Sequence, residues 1–274
     1  MDKRNFLSNE QFDPMDTATL RQHFVFDLLF MDDAMKFVFT GYDDVIIGGA
    51  KPLNRKLQLE NDPALGSEYF LEKREMGIIN VGGEGIISAD GVIFNMAYLS
   101  CTYLGLGTTD VSFLSVDPAS PALFYMVSTP CTHAFPNRQI TQEEVTPVDL
   151  AIIGHHELPL EYKYIFENGT SSCNLLMGVT IVRNGNLLNG IETASHENCT
   201  RIYFYFDLEE NFVSHAIGES PAIVSLPIKN YDAIVSPPRH FSGCCQPGNY
   251  AFVWAIATEN QAIADAQVPN NNTG

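Results

Sequence analysis

Ile78-Ile79-Asn80-Val81-Gly82-Gly83 is a short β-branched run that ends in two glycines, and Val45-Ile46-Ile47-Gly48-Gly49 has the same form earlier in the chain. β-branched residues favour strands, and glycines interrupt them. Similar short runs follow at fairly regular spacing, and they are Val92-Ile93-Phe94, Val111-Ser112-Phe113-Leu114 and Leu123-Phe124-Tyr125-Met126. Because no helical segments alternate with these runs, the pattern predicts an all-β sandwich or barrel.

A second β-rich half is predicted after a polar stretch between Pro130 and Pro147, which is the expected interdomain connection. Its predicted strands are Leu175 to Val182, Ile202 to Phe206, Ala222 to Leu226, Ala233 to Val235 and Tyr250 to Ile256. In the second of these strands the alternation places the apolar residues on one face and the two tyrosines on the other. We therefore expect two β-rich halves of similar size.

One short amphipathic helix is expected near the amino terminus, from Asp16 to Phe24. Asp16 is a good capping residue, and Leu20 and Phe24 lie four residues apart, so they share one face of a helix. The last residues, 267 to 274, are rich in asparagine and predict a loose tail.

The charge balance excludes several classes of partner. The 274 residues include 15 Lys and Arg against 33 Asp and Glu, a net charge of -18, which repels nucleic acid and anionic membranes. The chain shows no signal-peptide pattern and no window long enough to span a membrane, so a cytoplasmic location is expected. No C-x-x-C pair is present, and the cysteines are expected to be reduced; they are Cys101, Cys131, Cys173, Cys199, Cys244 and Cys245.

Four blocks of sequence carry a family resemblance that spans residues from about 16 to 261. They are Tyr69-Phe70-Leu71-Glu72-Lys73-Arg74-Glu75-Met76-Gly77-Ile78-Ile79-Asn80-Val81-Gly82-Gly83, Val45-Ile46-Ile47-Gly48-Gly49, Tyr203-Phe204-Tyr205-Phe206 with Asp207, and Phe252-Val253-Trp254 followed by Glu259-Asn260-Gln261. In order and spacing the chain resembles the 5-keto-4-deoxyuronate isomerases, also called 4-deoxy-L-threo-5-hexosulose-uronate ketol-isomerases.

The resemblance implies an all-β fold of two cupin barrels in tandem, with one short amino-terminal helix. The implied divisions are an arm and helix at 1–30, barrels at 31–145 and 146–262, and a flexible tail at 263–274. It also implies a homo-hexamer and a cupin hairpin at Gly82-Gly83-Glu84-Gly85.

The family's reaction is an aldose-ketose isomerisation of a deoxy-hexulosuronate that is released in pectin breakdown. In the family a zinc ion in the second barrel acts as the electrophile, held by a His-x-His pair, a Glu and a later His. In this chain the four ligand positions hold Ala194, His196, Arg201 and Ser242. Because only His196 remains a ligand, we expect no metal and no other cofactor here.

A cationic pocket for a small sugar acid is the remaining prediction for the second barrel. His196 and His240 are the candidate catalytic bases, and the candidate substrate-binding residues are Arg201, Lys163 and Ser242. In an extended strand His240 would face the same way as Ser242, about 7 Å along the chain. The alternative is that Arg201 pairs with a nearby acid, Glu197 or Glu192, and binds no ligand.

Two functional hypotheses of different class follow. The first is a sugar-acid ketol-isomerase that works without the usual zinc, since preorganised cations can stabilise an enediol. The second is a catalytically silent relative that binds a sugar acid or assembles with an active isomerase, because the ligand changes remove the Lewis acid. A third, in which the fold serves other chemistry, has no residue pattern to name its substrate.

Overall fold

The computed structural model describes residues 1–3, 16–149, 159–185, 199–219, 222–244 and 248–258. Strands make up most of these residues, which confirms the all-β prediction. In chain order the strands are β1 Asp2–Lys3, β2 Val25–Phe26, β3 Ala34–Phe39, β4 Ile46–Lys51, β5 Leu57–Gln58, β6 Arg74–Asn80, β7 Gly85–Ala89, β8 Val92–Met96, β9 Cys101–Leu104, β10 Val111–Ser115, β11 Phe124–Pro130, β12 Arg138–Ile140, β13 Val148–Asp149, β14 Leu160–Ile165, β15 Leu175–Gly185, β16 Thr200–Phe206, β17 Val213–Glu219, β18 Ala222–Ile228, β19 Ala233–Ser236, β20 Phe241–Cys244 and β21 Gly248–Ala257.

One α-helix, α1 at Thr17–Phe24, lies within the described residues, together with single 3-10 turns at Pro63–Leu65 and Gln142–Glu144. The Asp16 side chain accepts a hydrogen bond from the Thr19 backbone N–H at 2.7 Å, which caps the helix as predicted. Leu20 and Phe24 are buried on its inner face. No described helix has the length and apolar character needed to cross a membrane.

The chain divides into two compact units. Among described residues, the first unit contains 1–3, 28–146 and 164–176, and the second contains 16–27, 147–163 and the rest from 177 onward. Helix α1 is therefore part of the second unit. The domain limits implied by the resemblance stay a prediction, and the expected tail at 263–274 lies outside the described residues.

The first unit contains a seven-stranded sheet of order β1-β3-β4-β11-β6-β9-β12 and a four-stranded sheet of order β5-β10-β7-β8. Within the described residues its strand pairs are antiparallel, except that β1 and β3 are parallel. β12, which pairs with β9, lies inside the polar stretch that was expected to connect the domains. Part of that stretch is therefore sheet of the first unit.

The turn Gly82-Gly83-Glu84-Gly85 is not a hairpin, and this part of the prediction is wrong. β6 and β7, on either side of the turn, belong to different sheets, so the chain crosses from one sheet to the other here. The crossing passes close to the 120–123 backbone. A Cβ at Gly83 would collide with the Ser120 carbonyl, and one at Gly82 would lie 2.6 Å from the Pro121 carbonyl oxygen. The glycines are needed for this close approach.

The second unit repeats the arrangement with a seven-stranded sheet of order β13-β14-β15-β21-β16-β19-β2 and a three-stranded sheet of order β18-β17-β20. β6 and β16 hold the same place, fifth of seven, in their respective sheets. Every residue of β16 is buried. The side chains on both faces of this strand are therefore covered by protein, which makes its polar residues informative.

Candidate functional site

The two units differ in the side chains that their sheets enclose. In the first unit, β6 contributes Met76 and Ile78 to a continuous apolar cluster. In the second unit, the corresponding strand β16 directs Arg201 and two tyrosines toward the smaller sheet, because the tyrosine rings contact His215 on β17. A polar interior costs free energy unless its groups have partners. The candidate site is therefore in the second unit.

Arg201 is the charged residue at the centre of this face. Its side chain is buried, with 2% of the residue exposed, and its Nη2 donates to the His240 carbonyl at 2.5 Å. Nε and Nη1 have no acceptor among the described residues, and no carboxylate of those residues forms an ion pair with Arg201. The proposed acidic partners, Glu192 and Glu197, lie outside the described residues.

A second buried arginine, Arg74, provides an internal comparison. Arg74 begins β6 in the first unit and is 7% exposed. Its Nε donates to Ser128 Oγ at 3.1 Å, and its Nη2 donates to the carbonyls of Ser128 and Asp44 at 2.8 and 2.5 Å. Arg74 is thus held by the protein's own acceptors. Arg201 has only one such contact in the described part of the chain.

His215 forms a hydrogen-bonded chain beside Arg201. Its Nδ1 lies 2.6 Å from the Tyr205 hydroxyl, and its Nε2 lies 2.8 Å from Ser242 Oγ. Burial raises the pKa of Tyr205 well above its usual value, so the phenol keeps its proton and donates to Nδ1. Nε2–H then donates to Ser242. Burial, with a smaller effect of Arg201, lowers the pKa of His215 to about 3, so the imidazole stays neutral.

The stability of the protein should therefore depend on pH through His215. An unfolded histidine binds a proton below about pH 6.5, whereas folded His215 does so only near pH 3. Between these values the unfolded state binds more protons, so stability falls as the pH is lowered, by up to about 1.4 kcal/mol per pH unit. Compared with His215→Gln, the wild type should lose stability between pH 6.5 and 4.5 in denaturant titrations. Parallel pH profiles would contradict the assignment.

The structure brings together three of the residues predicted from the sequence. His240 is buried, and its carbonyl accepts a hydrogen bond from Arg201. The Ser242 hydroxyl is hydrogen-bonded to His215, which contacts the same face. Lys163 lies instead near Glu161, with Nζ 3.9 Å from Oε2. His196 lies outside the described residues. The roles assigned to these residues stay predictions.

Sequence reasoning did not identify three further polar residues of this face. They are His215, Ser236 and Trp254. Ser236 on β19 is directly opposite Arg201, and Trp254 on β21 is directly opposite Tyr203. The only signal available was period-two alternation along β16, because the register between strands cannot be read from one sequence.

The zinc set implied by the resemblance does not fit this site. Two of its four positions are described: one holds the Arg201 guanidinium, which stays protonated and repels a divalent cation, and the other holds Ser242, whose hydroxyl is bonded to His215. Ala194 has no ligand atom, which leaves His196 alone. The described residues contain no group of three or more His, Cys, Asp or Glu that could hold a metal. A single imidazole cannot replace a three- or four-ligand set.

Solved structures with a similar fold include an IolB-like protein from Salmonella typhimurium LT2, with a TM-score of 0.62 and 14% identity over 79% of this chain and 84% of that chain. An oxalate decarboxylase from Bacillus subtilis has a TM-score of 0.56 and 10% identity over 79% of this chain and 69% of its own. At these identities the likeness shows the fold alone, which is of the cupin type. No family model matches the chain.

Curated relatives match the chain over nearly its full length. A 4-deoxy-L-threo-5-hexosulose-uronate ketol-isomerase from Halalkalibacterium halodurans is 36% identical over 268 residues, 97% of each chain. Proteins of the same name from Caldicellulosiruptor bescii and Dickeya dadantii are 36% and 34% identical, each covering 97% of this chain and 96% of its own length. The chain belongs to the 4-deoxy-L-threo-5-hexosulose-uronate ketol-isomerase family.

Proposed function

We propose that this protein is a ketol-isomerase of a keto sugar acid, and that Arg201 supplies the positive charge that the family obtains from zinc. The observation that carries the proposal is the buried guanidinium, whose Nε and Nη1 have no acceptor among the described residues. The relatives are named for a uronate substrate, which carries a carboxylate. A buried cation in a chain of net charge -18 is matched by such a ligand.

Aldose-ketose isomerisation moves a proton between neighbouring carbons through an enediol. It needs an acid/base group and a donor that stabilises the developing oxyanion. Arg201 can bind the carboxylate or stabilise the oxyanion, because its planar donors suit both tasks. His240 and His196 are the candidate bases. His215 is held neutral between Tyr205 and Ser242, so Arg201 and not His215 carries the positive charge on this face.

A second candidate function is a catalytically silent relative that binds the sugar acid without converting it. It is favoured by the identity of the residues at two described zinc positions, where Arg201 and Ser242 cannot act as the family's ligands. Such a protein would keep the anion site and lose turnover. Assembly with an active isomerase or into a homo-hexamer belongs to the same set of proposals.

Chelator-treated protein, with its metal content checked by elemental analysis, should convert 4-deoxy-L-threo-5-hexosulose uronate to its 2,5-diketo acid. We expect turnover that chelation does not remove and that falls by about 100-fold or more in Arg201→Met, because one oxyanion donor contributes about that much. No conversion above buffer by a folded sample would leave the silent binder as the function. Activity that returns only with added zinc would show that a metal site exists after all.

A further inference from the structure

We infer that Ser236 and Trp254 each bind a neutral oxygen of the ligand, on opposite sides of Arg201, and so select a hydroxylated acid over a simple one. The inference rests on the proposed function, because it extends the Arg201 site. A pair of polar atoms on one face of the sheet supports this inference. Ser236 Oγ and Trp254 Nε1 are both buried and have no hydrogen-bond partner among the described residues.

The strand register places these groups together. Arg201 is opposite Ser236 on one neighbouring strand and opposite Ile256 on the other, and Tyr203 is opposite Trp254. Side chains that are directly opposite in an antiparallel pair share a face, with Cβ atoms about 4.5–5.5 Å apart, and diagonal neighbours are about 7–8 Å apart. Ser236 and Trp254 therefore flank Arg201 on two sides.

The indole of Trp254 packs against a glycine on the neighbouring strand. A Cβ at Gly178 on β15 would collide with the ring, including Cε2 at 2.6 Å, so only glycine allows the ring to lie against this strand. Trp254 is 8% exposed, and Ser236 is fully buried. A buried indole N–H that packs against a neighbouring strand and has no acceptor among the described residues is suited to ligand binding, because packing restricts its orientation before the ligand arrives.

Leaving such groups unpaired is costly, and most buried polar atoms in proteins have partners. Three residues of this face contribute atoms that have no partner among the described residues, and those of Arg201 and Trp254 can only donate. A ligand rich in acceptors satisfies all of them. The carboxylate pairs with the guanidinium, one hydroxyl, carbonyl or ring oxygen accepts from the indole, and a separate hydroxyl contacts the serine. A simple carboxylic acid satisfies only the guanidinium.

The test compares D-galacturonate with cyclohexanecarboxylate, a six-membered ring acid without hydroxyl groups, in calorimetric titrations. Wild type should bind galacturonate more tightly. Ser236→Ala and Trp254→Phe should each weaken galacturonate binding about 3- to 10-fold, the effect of one hydrogen bond, and leave cyclohexanecarboxylate unchanged. Equal affinity of wild type and both variants for galacturonate, or absence of galacturonate binding to wild type, would overturn the inference.

A second measurement uses no ligand. Ser128 is a buried serine whose Oγ accepts from Arg74 and donates to the Glu75 carbonyl at 2.7 Å, so Ser128→Ala should lower the Tm. Ser236→Ala removes a hydroxyl that has no described partner, so its Tm should stay the same or rise. A fall in Tm equal to that of Ser128→Ala would show that Ser236 has a structural role, contrary to the inference.

These results are separable from the proposed function. If the variants lose affinity for galacturonate but the wild type shows no turnover, the proposed isomerase activity is contradicted and the inference stands. If the wild type shows turnover but neither substitution changes the affinity for galacturonate, the inference is contradicted and the proposed activity stands.

Discussion

Glu75→Gln should lower the free energy of unfolding by about 3–6 kcal/mol, because at least two charge-assisted hydrogen bonds of about 1.5–3 kcal/mol each are lost. The Glu75 carboxylate is fully buried on the face of β6 opposite the apolar cluster. It accepts five hydrogen bonds within the first unit, from Tyr103 Oη at 2.7 Å, Thr129 Oγ1 at 3.1 Å and the backbone N–H groups of Cys173, Asn174 and Leu175 at 2.7, 2.6 and 3.0 Å.

All five partners of Glu75 donate, so the glutamine amide would place its own N–H₂ against donors. Burial and the neighbouring carboxylate both raise the pKa of Tyr103, which keeps the phenol protonated as a donor. The amide oxygen can replace only one of the two carboxylate oxygens, so the donors to the other oxygen, which include at least one backbone N–H of 173–175, lose their acceptor. Hydrogen exchange at these amides should therefore accelerate together with the loss of global stability.

Glu84→Gln is the matched control, because Glu84 is exposed and the substitution makes the same chemical change. It should alter stability by less than about 0.5 kcal/mol. Denaturant titrations of both variants and of the wild type measure the difference. A Glu75→Gln protein within about 1 kcal/mol of the wild type, with protected amides at 173–175, would show that the carboxylate contributes little.

Several strands were predictable because their β-branched and aromatic runs are local in the sequence. Ile78 to Asn80 and Tyr250 to Ile256 carry β-branched and aromatic runs, and the structure places β6 and β21 there. The cap at Asp16 was predictable for the same reason. The network of Glu75 was not, because its backbone partners lie 98 to 100 residues away in sequence. Local pattern contains no information on such pairs.

Prediction of the candidate site from the sequence is limited in the same way. Alternation along β16 correctly separates Tyr203 and Tyr205 from the apolar residues of that strand. It does not say that His215 would face them from the smaller sheet, or that Ser236 would be opposite Arg201, since both facts depend on strand order and register. The hairpin that the resemblance implied at Gly82 was wrong, and the local sequence could not correct it, because a short glycine-rich link suits a hairpin and a crossing between sheets equally well.

Arg201→Glu should abolish the rise in Tm that D-galacturonate gives the wild type. A ligand that binds only the folded protein stabilises it by mass action, so the shift reports occupancy. The substitution replaces the cation that would bind the carboxylate with a like charge. It also recreates the family's acidic position, but Ala194 and Ser242 remain, so a zinc set is not restored.

Arg201→Met guards against misfolding of the glutamate variant, because an apolar side chain of similar length can replace a buried charge without loss of stability. Its ligand-free Tm should equal or exceed that of the wild type, while its affinity for galacturonate falls about 10- to 100-fold with the loss of charge-assisted hydrogen bonds. Arg183→Glu, which makes the same charge change at an exposed site of the second unit, should keep the wild-type shift. Equal galacturonate shifts in wild type and Arg201→Met would show that the guanidinium binds no ligand, and its unpaired donors would then have to be satisfied by residues of the chain itself.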